Sequence, residues 1–319
     1  CAVQQGGATE NRLIGGPPMS SPAAVAVAAA VVAVAAATAV LWTSCGGERK
    51  RRFRYPSPQH CHEDFRPRVA VGVTGSVAAV KCPAVVERLV QRGLYVDVIL
   101  TAAAAFFLEV EYRGGVPANA LAALTARRDD EGNPVVSVWC DEDEWAGYTA
   151  VGNPVLHIQL AARNHALLIA PLDANTLAKL AHGVADNLLS CVARAWSWDV
   201  EPSFAAGLAE AHGSHEVHRP VVVAPAMNTF MWHQQITHDA LAELKRKGAH
   251  VVNPVDKTLA CGVKGAGALA DPAAIVQAVA ELFERNWEAR QAALARGLPT
   301  LSRTHSSSHS GDGARDAPR

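Results

Sequence analysis

At 319 residues the chain is one large domain or two small ones, and with half its residues hydrophobic and 18% charged it is not globally disordered. Twenty-nine Lys plus Arg against 30 Asp plus Glu give a net charge of −1, which argues against nucleic-acid binding, although a local patch can hide in a neutral sum. The seven cysteines are irregularly spaced and contain no C-x-x-C, so neither a disulfide framework nor a cysteine-based zinc site is expected, and a reducing, cytoplasmic compartment is.

Residues 1–66 read as a low-complexity extension. Within it, 22–42 (PAAVAVAAAVVAVAAATAVLW) hold eleven Ala, six Val and no charge. That length can span a bilayer as a helix, and a basic run from Arg49 to Arg54 follows it. Alanine contributes little transfer energy, so the span is weak, and a tail is favoured over a membrane anchor. His60, Cys61 and His62 look metal-like, but no further ligand stands at zinc spacing and no metal is expected.

Residues 67–288 read as a single folded domain. A short apolar run over 69–74 ends at Gly75 and predicts a buried strand, and a helix follows over 77–92. Further strands are predicted over 95–101, 165–171, 220–225 and 249–254, and helices over 173–182, 186–197 and 235–247. Short apolar strands alternating with amphipathic helices imply an α/β domain: a parallel sheet with helices on both faces. The stretches 109–150 and 198–218 read as long loops or insertions. The tail 289–319 closes the chain and is expected to be disordered from about 302.

In such sheets ligands gather beyond the carboxyl ends of the strands. After the first strand, G-V-T-G-S-V (72–77) fits either a tight turn or a phosphate cradle, with Thr74 and Ser76 as hydroxyl donors. Thr101 follows the second strand and Asp173 and Asn175 the third; all three also suit helix N-caps. P-A-M-N-T-F-M-W (225–232) sets one amide, Asn228, in an apolar wall of Met227 and Met231. His157 lies in the apolar run N-P-V-L-H-I-Q-L and fits either a core histidine or a catalytic one. Cys261, among three glycines, fits either an inert thiol or one presented on a mobile loop.

Taken in order, T-G-S-V-A-A-V-K (74–81), D-E-D-E-W (141–145), G-N-P-V-L-H-I-Q-L (152–160), A-P-L-D-A-N-T-L-A-K (170–179), D-N-L-L-S-C-V-A-R-A-W (186–196), A-P-A-M-N-T-F-M-W (224–232) and L-A-C-G-V-K-G-A-G-A (259–268) resemble the phosphopantothenoylcysteine decarboxylases. These form the eukaryotic, single-function branch of the flavin-containing cysteine decarboxylases. The resemblance covers about 67–285. It implies a flavodoxin-like (Rossmann-type) fold, a homotrimer and FMN held at a subunit interface. The substrate it implies is 4′-phosphopantothenoylcysteine and the product 4′-phosphopantetheine, within coenzyme A biosynthesis. Gly75 and Ser76 then match the FMN-phosphate turn, and Thr101 a second phosphate-side hydroxyl. Asp173, Ala174, Asn175 and Thr176 match the segment near the flavin ring. His157 matches the active-site base, Asn228 the amide that holds the substrate carboxylate, Met227 and Met231 its apolar surround, and Cys261 the thiol of the closing reduction.

The implied chemistry is coherent. Two-electron oxidation by the flavin gives a thioaldehyde, whose C=S is an electron sink for the departing carboxylate; the electrons then return. The chain departs from the family pattern at Val263, where Asp is common, and at Ala161 and Ala162, where two Arg are common. The alternative reading is a regulatory subunit of the same fold, either phosphatase-inhibiting or a member of a hetero-trimer. The co-occurrence of His157, Asn228 and Cys261 favours the enzyme.

Overall fold

A computed structural model describes residues 66–212, 218–258 and 264–295. The segment 22–42, Cys261, Val263 and the tail from 302 lie outside the described residues. Six parallel strands form the main sheet: β1 (Arg68–Val73), β2 (Tyr95–Leu100), β3 (Val136–Trp139), β4 (Ala166–Leu172), β5 (Val221–Pro225) and β6 (His250–Val251). Their order is β3-β2-β1-β4-β5-β6. Without the short edge strand β3, the five strands expected from the sequence follow the flavodoxin order 2-1-3-4-5.

The strands form where apolar runs are buried on both sides. Alternate residues face opposite ways. Val69, Val71 and Val73 join Val96, Val98 and Leu100 on one face. There α1 (Cys82–Gln91) and α11 (Pro272–Ala295) cover them through Val85, Leu89, Ile275 and Val279. Ala70, Ile99, Leu167 and Ile169 point the other way. Against them pack α5 (Leu156–Arg163), α6 (Ala174–His182), α7 (Leu188–Arg194) and α10 (Gln235–Arg246). Burying one such Leu or Val contributes about 1.5–3 kcal/mol. Gly72 lets α7 close on the sheet, because a Cβ there would meet Leu189 Cδ1 at 2.4 Å.

Several expectations change. The stretch 109–150 is not one long loop: it holds α3 (Pro117–Thr125), β3 and α4 (Asp143–Ala146). The stretch 198–218 holds α8 (Pro202–His212). The expected helix over 77–92 opens as a 3-10 segment (Val77–Lys81) before α1. The strand expected over 249–254 pairs only at His250 and Val251. Beyond it, β7 (Val255–Thr258) and β8 (Lys264–Ala268) form a separate antiparallel pair. Two short helices complete the order, α2 (Ala102–Leu108) and α9 (Thr229–Trp232). Among the described residues no helix is long and apolar enough to cross a membrane.

One buried charge anchors the sheet. Asp97 on β2 is fully buried and accepts from Arg163 Nε at 2.8 Å, Asn164 Nδ2 at 2.9 Å and Trp139 Nε1 at 3.0 Å. Burial pushes its carboxyl up, but Arg163 and Arg68 outweigh that and hold it below its ordinary value. Arg163, which follows Ala161 and Ala162, is thus committed to the core.

Candidate active site

A cleft of about 760 Å³ opens at the carboxyl ends of β1, β4 and β5, within the size range of small-molecule sites. The first strand pairs with β2 on one side and β4 on the other, so the cleft sits at the switch point of the sheet. Its walls come from the turns that follow β1 (75–78), β4 (173–175) and β5 (226–228), with β8 opposite.

Gly75 and Ser76 line this cleft. Gly75 is required by packing: a Cβ would come 2.6 Å from Ala103 Cβ and 3.1 Å from Asp173 Oδ2. Ser76 caps the 3-10 segment, its Oγ accepting from Ala78 N at 3.3 Å. Asp173, Ala174 and Asn175 also line the cleft. Asp173 is the N-cap of α6, accepting from Thr176 N at 2.7 Å. Met227, Asn228 and Met231 line it from the next turn. Asn228 Oδ1 accepts from Phe230 N at 2.8 Å and caps α9. Met227 N donates to Gly267 O at 2.9 Å, and a Cβ at Gly267 (φ 119°) would lie 2.4 Å from Met227 O. Gly267 of β8 therefore permits close approach of two backbones, and 264–268 is a strand where the sequence suggested a mobile loop.

Four expected residues stand elsewhere. Thr101 is buried as the N-cap of α2: its Oγ1 donates to Val73 O at 3.3 Å and accepts from Ala104 N at 3.2 Å. Thr176 is buried in the first turn of α6. Neither lines the cleft. His157 sits in the first turn of α5, also outside the cleft, and Cys261 lies outside the described residues. Thr74, expected as a hydroxyl donor, is fully buried. Its Oγ1 donates to Pro171 O and accepts from Asp173 N, both at 2.8 Å, and so ties the first turn to the third.

The residue missed in the sequence is Glu144. Its Oε1 lies 2.5 Å from His157 Nδ1, the carboxylate is buried, and Oε2 has no hydrogen-bond partner among the described residues. The acidic run 141–144 is otherwise structural. Asp141 Oδ1 accepts from Leu188 N at 2.9 Å at the start of α7, and Asp143 Oδ2 from Cys140 N at 2.9 Å. Only the spacing of D-E-D-E-W ahead of the histidine could have signalled the pairing. Nearby Cys191 is held above its usual pKa by burial, then by Glu144, Asp186 and Asp141, and so stays a thiol.

Comparison with known proteins agrees with this geometry. A family model described as Flavoprotein matches residues 57–284. Phosphopantothenoylcysteine decarboxylase of Mus musculus is 36% identical over 230 residues, 72% of this chain and 93% of its own length. A solved PPC decarboxylase mutant, complexed with pantothenoylaminoethenethiol, is 34% identical with a TM-score of 0.53, over 69% of this chain and 99% of its own. The FMN binding protein AtHal3 is 34% identical with a TM-score of 0.51, over 69% of this chain and 98% of its own. The family resemblance carried by the motifs is borne out, and the chain belongs to the Flavoprotein family.

Proposed function

We propose that this chain is an FMN-dependent decarboxylase that converts 4′-phosphopantothenoylcysteine to 4′-phosphopantetheine in coenzyme A biosynthesis, working as a homotrimer. The observation that carries the reading is the convergence of the 75–78, 173–175 and 226–228 turns on one cleft at the switch point, in a chain whose relatives bear that name. The formed cleft, together with the buried Glu144 held against His157, favours an enzyme over a regulatory subunit.

The residues present fit FMN. Ala174, Met227 and Leu269 offer apolar walls for a planar ring, and the turn after β1 offers the Ser76 hydroxyl, which accepts from Ala78 N and can still donate, to a phosphate. Bound there, FMN supplies the two-electron acceptance and return that decarboxylation of a cysteine requires.

The chain's own groups do the rest. Asn228 orients the substrate carboxylate through its amide, without a cation that would over-stabilise it. Met227 and Met231 exclude water. With Nδ1 engaged by Glu144, Nε2 of His157 takes the substrate's thiol proton. Cys261 returns a proton at the end. Because His157 does not line the cleft of its own chain, a second copy supplies it. Exposed Trp145 and Ile158, adjacent in sequence to the Glu144–His157 pair, and exposed Met231 at the cleft with Phe230 next to it in sequence, are apolar surfaces such an assembly covers.

The test is CO₂ release by FMN-loaded protein. Wild type should be yellow and active, and His157→Asn yellow and inactive. A protein that never retains FMN, or a His157→Asn variant with full turnover, would remove the reading or the base respectively.

A further inference from the structure

A second cavity, of about 100 Å³, shares no lining residue with the cleft. It forms where three helices end: Leu180 and Gly183 close α6, Arg194 closes α7 and Lys247 caps α10. Helix α6 leaves the cleft at Ala174 and is nine residues long, so the cavity lies about 13 Å beyond the cleft wall. Trp196 and the stretch from Trp198 to Val200, where the chain enters the 198–218 insertion, supply the remaining wall. The space suits a ligand of a few heavy atoms.

The walls are fixed. Trp196 Nε1 donates to Arg219 O at 3.3 Å, and the Arg219 guanidinium lies 4.4 Å from the Trp196 ring centroid. Arg219 also donates from Nε to Ser197 Oγ at 2.8 Å and from its backbone N to Ser197 O at 3.0 Å, which fastens the two ends of the insertion. Most polar groups of the cavity are already engaged. Ser190 Oγ accepts from Asp186 N at 3.0 Å and Asn187 N at 3.1 Å. Lys247 Nζ donates to Leu180 O at 3.2 Å and Ala181 O at 3.1 Å, and stands 4.0 Å from Asp199 Oδ2 and 3.8 Å from Glu243 Oε1. Two donor groups remain: the Arg194 guanidinium and the Trp198 indole N–H make no hydrogen bond or ion pair with a described residue. A Cβ at Gly183 would meet Arg194 Nη1 at 3.8 Å, so the guanidinium lies over the left-handed residue (φ 73°) that ends α6.

A cavity whose unspent groups are donors calls for an acceptor. Lys247 and Asp199 offset each other, which leaves the single positive charge of Arg194 and matches a monoanion. The planar guanidinium fork fits the two oxygens of a carboxylate, and Leu180, Val184 and Val200 offer apolar surface to a short alkyl stub. We propose that this cavity binds a small monocarboxylate, of about two or three carbons, with Arg194 holding the anion. The site belongs to this chain's insertion and does not depend on the decarboxylase reading.

The full chain labelled with 5-fluorotryptophan reports on the cavity by fluorine NMR, with Trp198→Phe identifying the Trp198 signal. Sodium propionate is titrated against sodium chloride at constant ionic strength. The Trp198 signal should move along a saturating curve with a midpoint on the order of 1–10 mM. Propionamide, of the same shape without the charge, should leave the signal in place over that range. Arg194 is exposed, so Arg194→Gln should keep the spectrum of the folded chain and raise the propionate midpoint about tenfold or more. Arg194→Lys keeps the charge without the fork and should fall between the two. A shift that never saturates, an equal response to propionamide, or a wild-type midpoint in Arg194→Gln would overturn the site. Inorganic phosphate that binds more tightly than propionate would overturn the monocarboxylate assignment.

Discussion

Glu144 Oε1 and His157 Nδ1 lie 2.5 Å apart, joining the helix of an acidic motif to the first turn of α5. The contact fixes which ring nitrogen faces outward. Glu144→Gln should keep the flavin colour and KM, but lower kcat for CO₂ release by about tenfold or more. Glu144→Asp should recover part of that rate. A Gln variant with normal kcat and a lowered melting temperature would assign Glu144 to packing alone.

Thr74 holds two of the cleft-forming turns together through one hydroxyl. Thr74→Val keeps the shape and leaves Pro171 O and Asp173 N without that partner. Urea unfolding should report a loss of about 1–3 kcal/mol, and FMN should dissociate more readily from the variant. Unchanged flavin affinity would separate the tie from the cleft.

Asp97 predicts how stability responds to acid. Its folded pKa is depressed by Arg163 and Arg68, so the stability it contributes is complete above the unfolded value of about 4. That stability is lost as pH falls through the lower folded value. Asp97→Asn leaves the arginines without their counter-charge and should cost about 3–5 kcal/mol near neutrality. Urea midpoints followed from neutral to acid pH should then fall less steeply in the variant than in wild type. Parallel slopes would mean that other carboxylates carry the acid response.

A site shared between copies makes a complementation prediction. His157→Asn and Asn228→Ala proteins should each be inactive. Unfolded together and reassembled, they should regain about a quarter of the wild-type rate per site, since one intact cleft then meets one intact histidine by chance pairing. No recovery in well-folded mixed assemblies would place both residues in one chain's site.

Much of the frame was legible because it is written in burial. Strands β1, β2, β4 and β5 are almost entirely buried, and their apolar runs stand out. β3 was hidden: only Val136 and Trp139 of its four residues are buried, amid a polar stretch. α3 was hidden by its flanking Gly and Pro. The cleft residues Gly75, Ser76, Asp173, Ala174, Asn175, Met227, Asn228 and Met231 were found because they follow strands. Thr101 follows a strand too, yet its hydroxyl is taken by backbone, and position alone cannot separate a cap from a ligand. Glu144 escaped because a pairing across a turn leaves no periodic trace.

The most direct measurement is the mass of the product after FMN-loaded protein meets 4′-phosphopantothenoylcysteine. The expected product is 4′-phosphopantetheine, lighter by one CO₂, with the flavin returned to its oxidised colour. Recovery of intact substrate from a yellow, folded protein would contradict it.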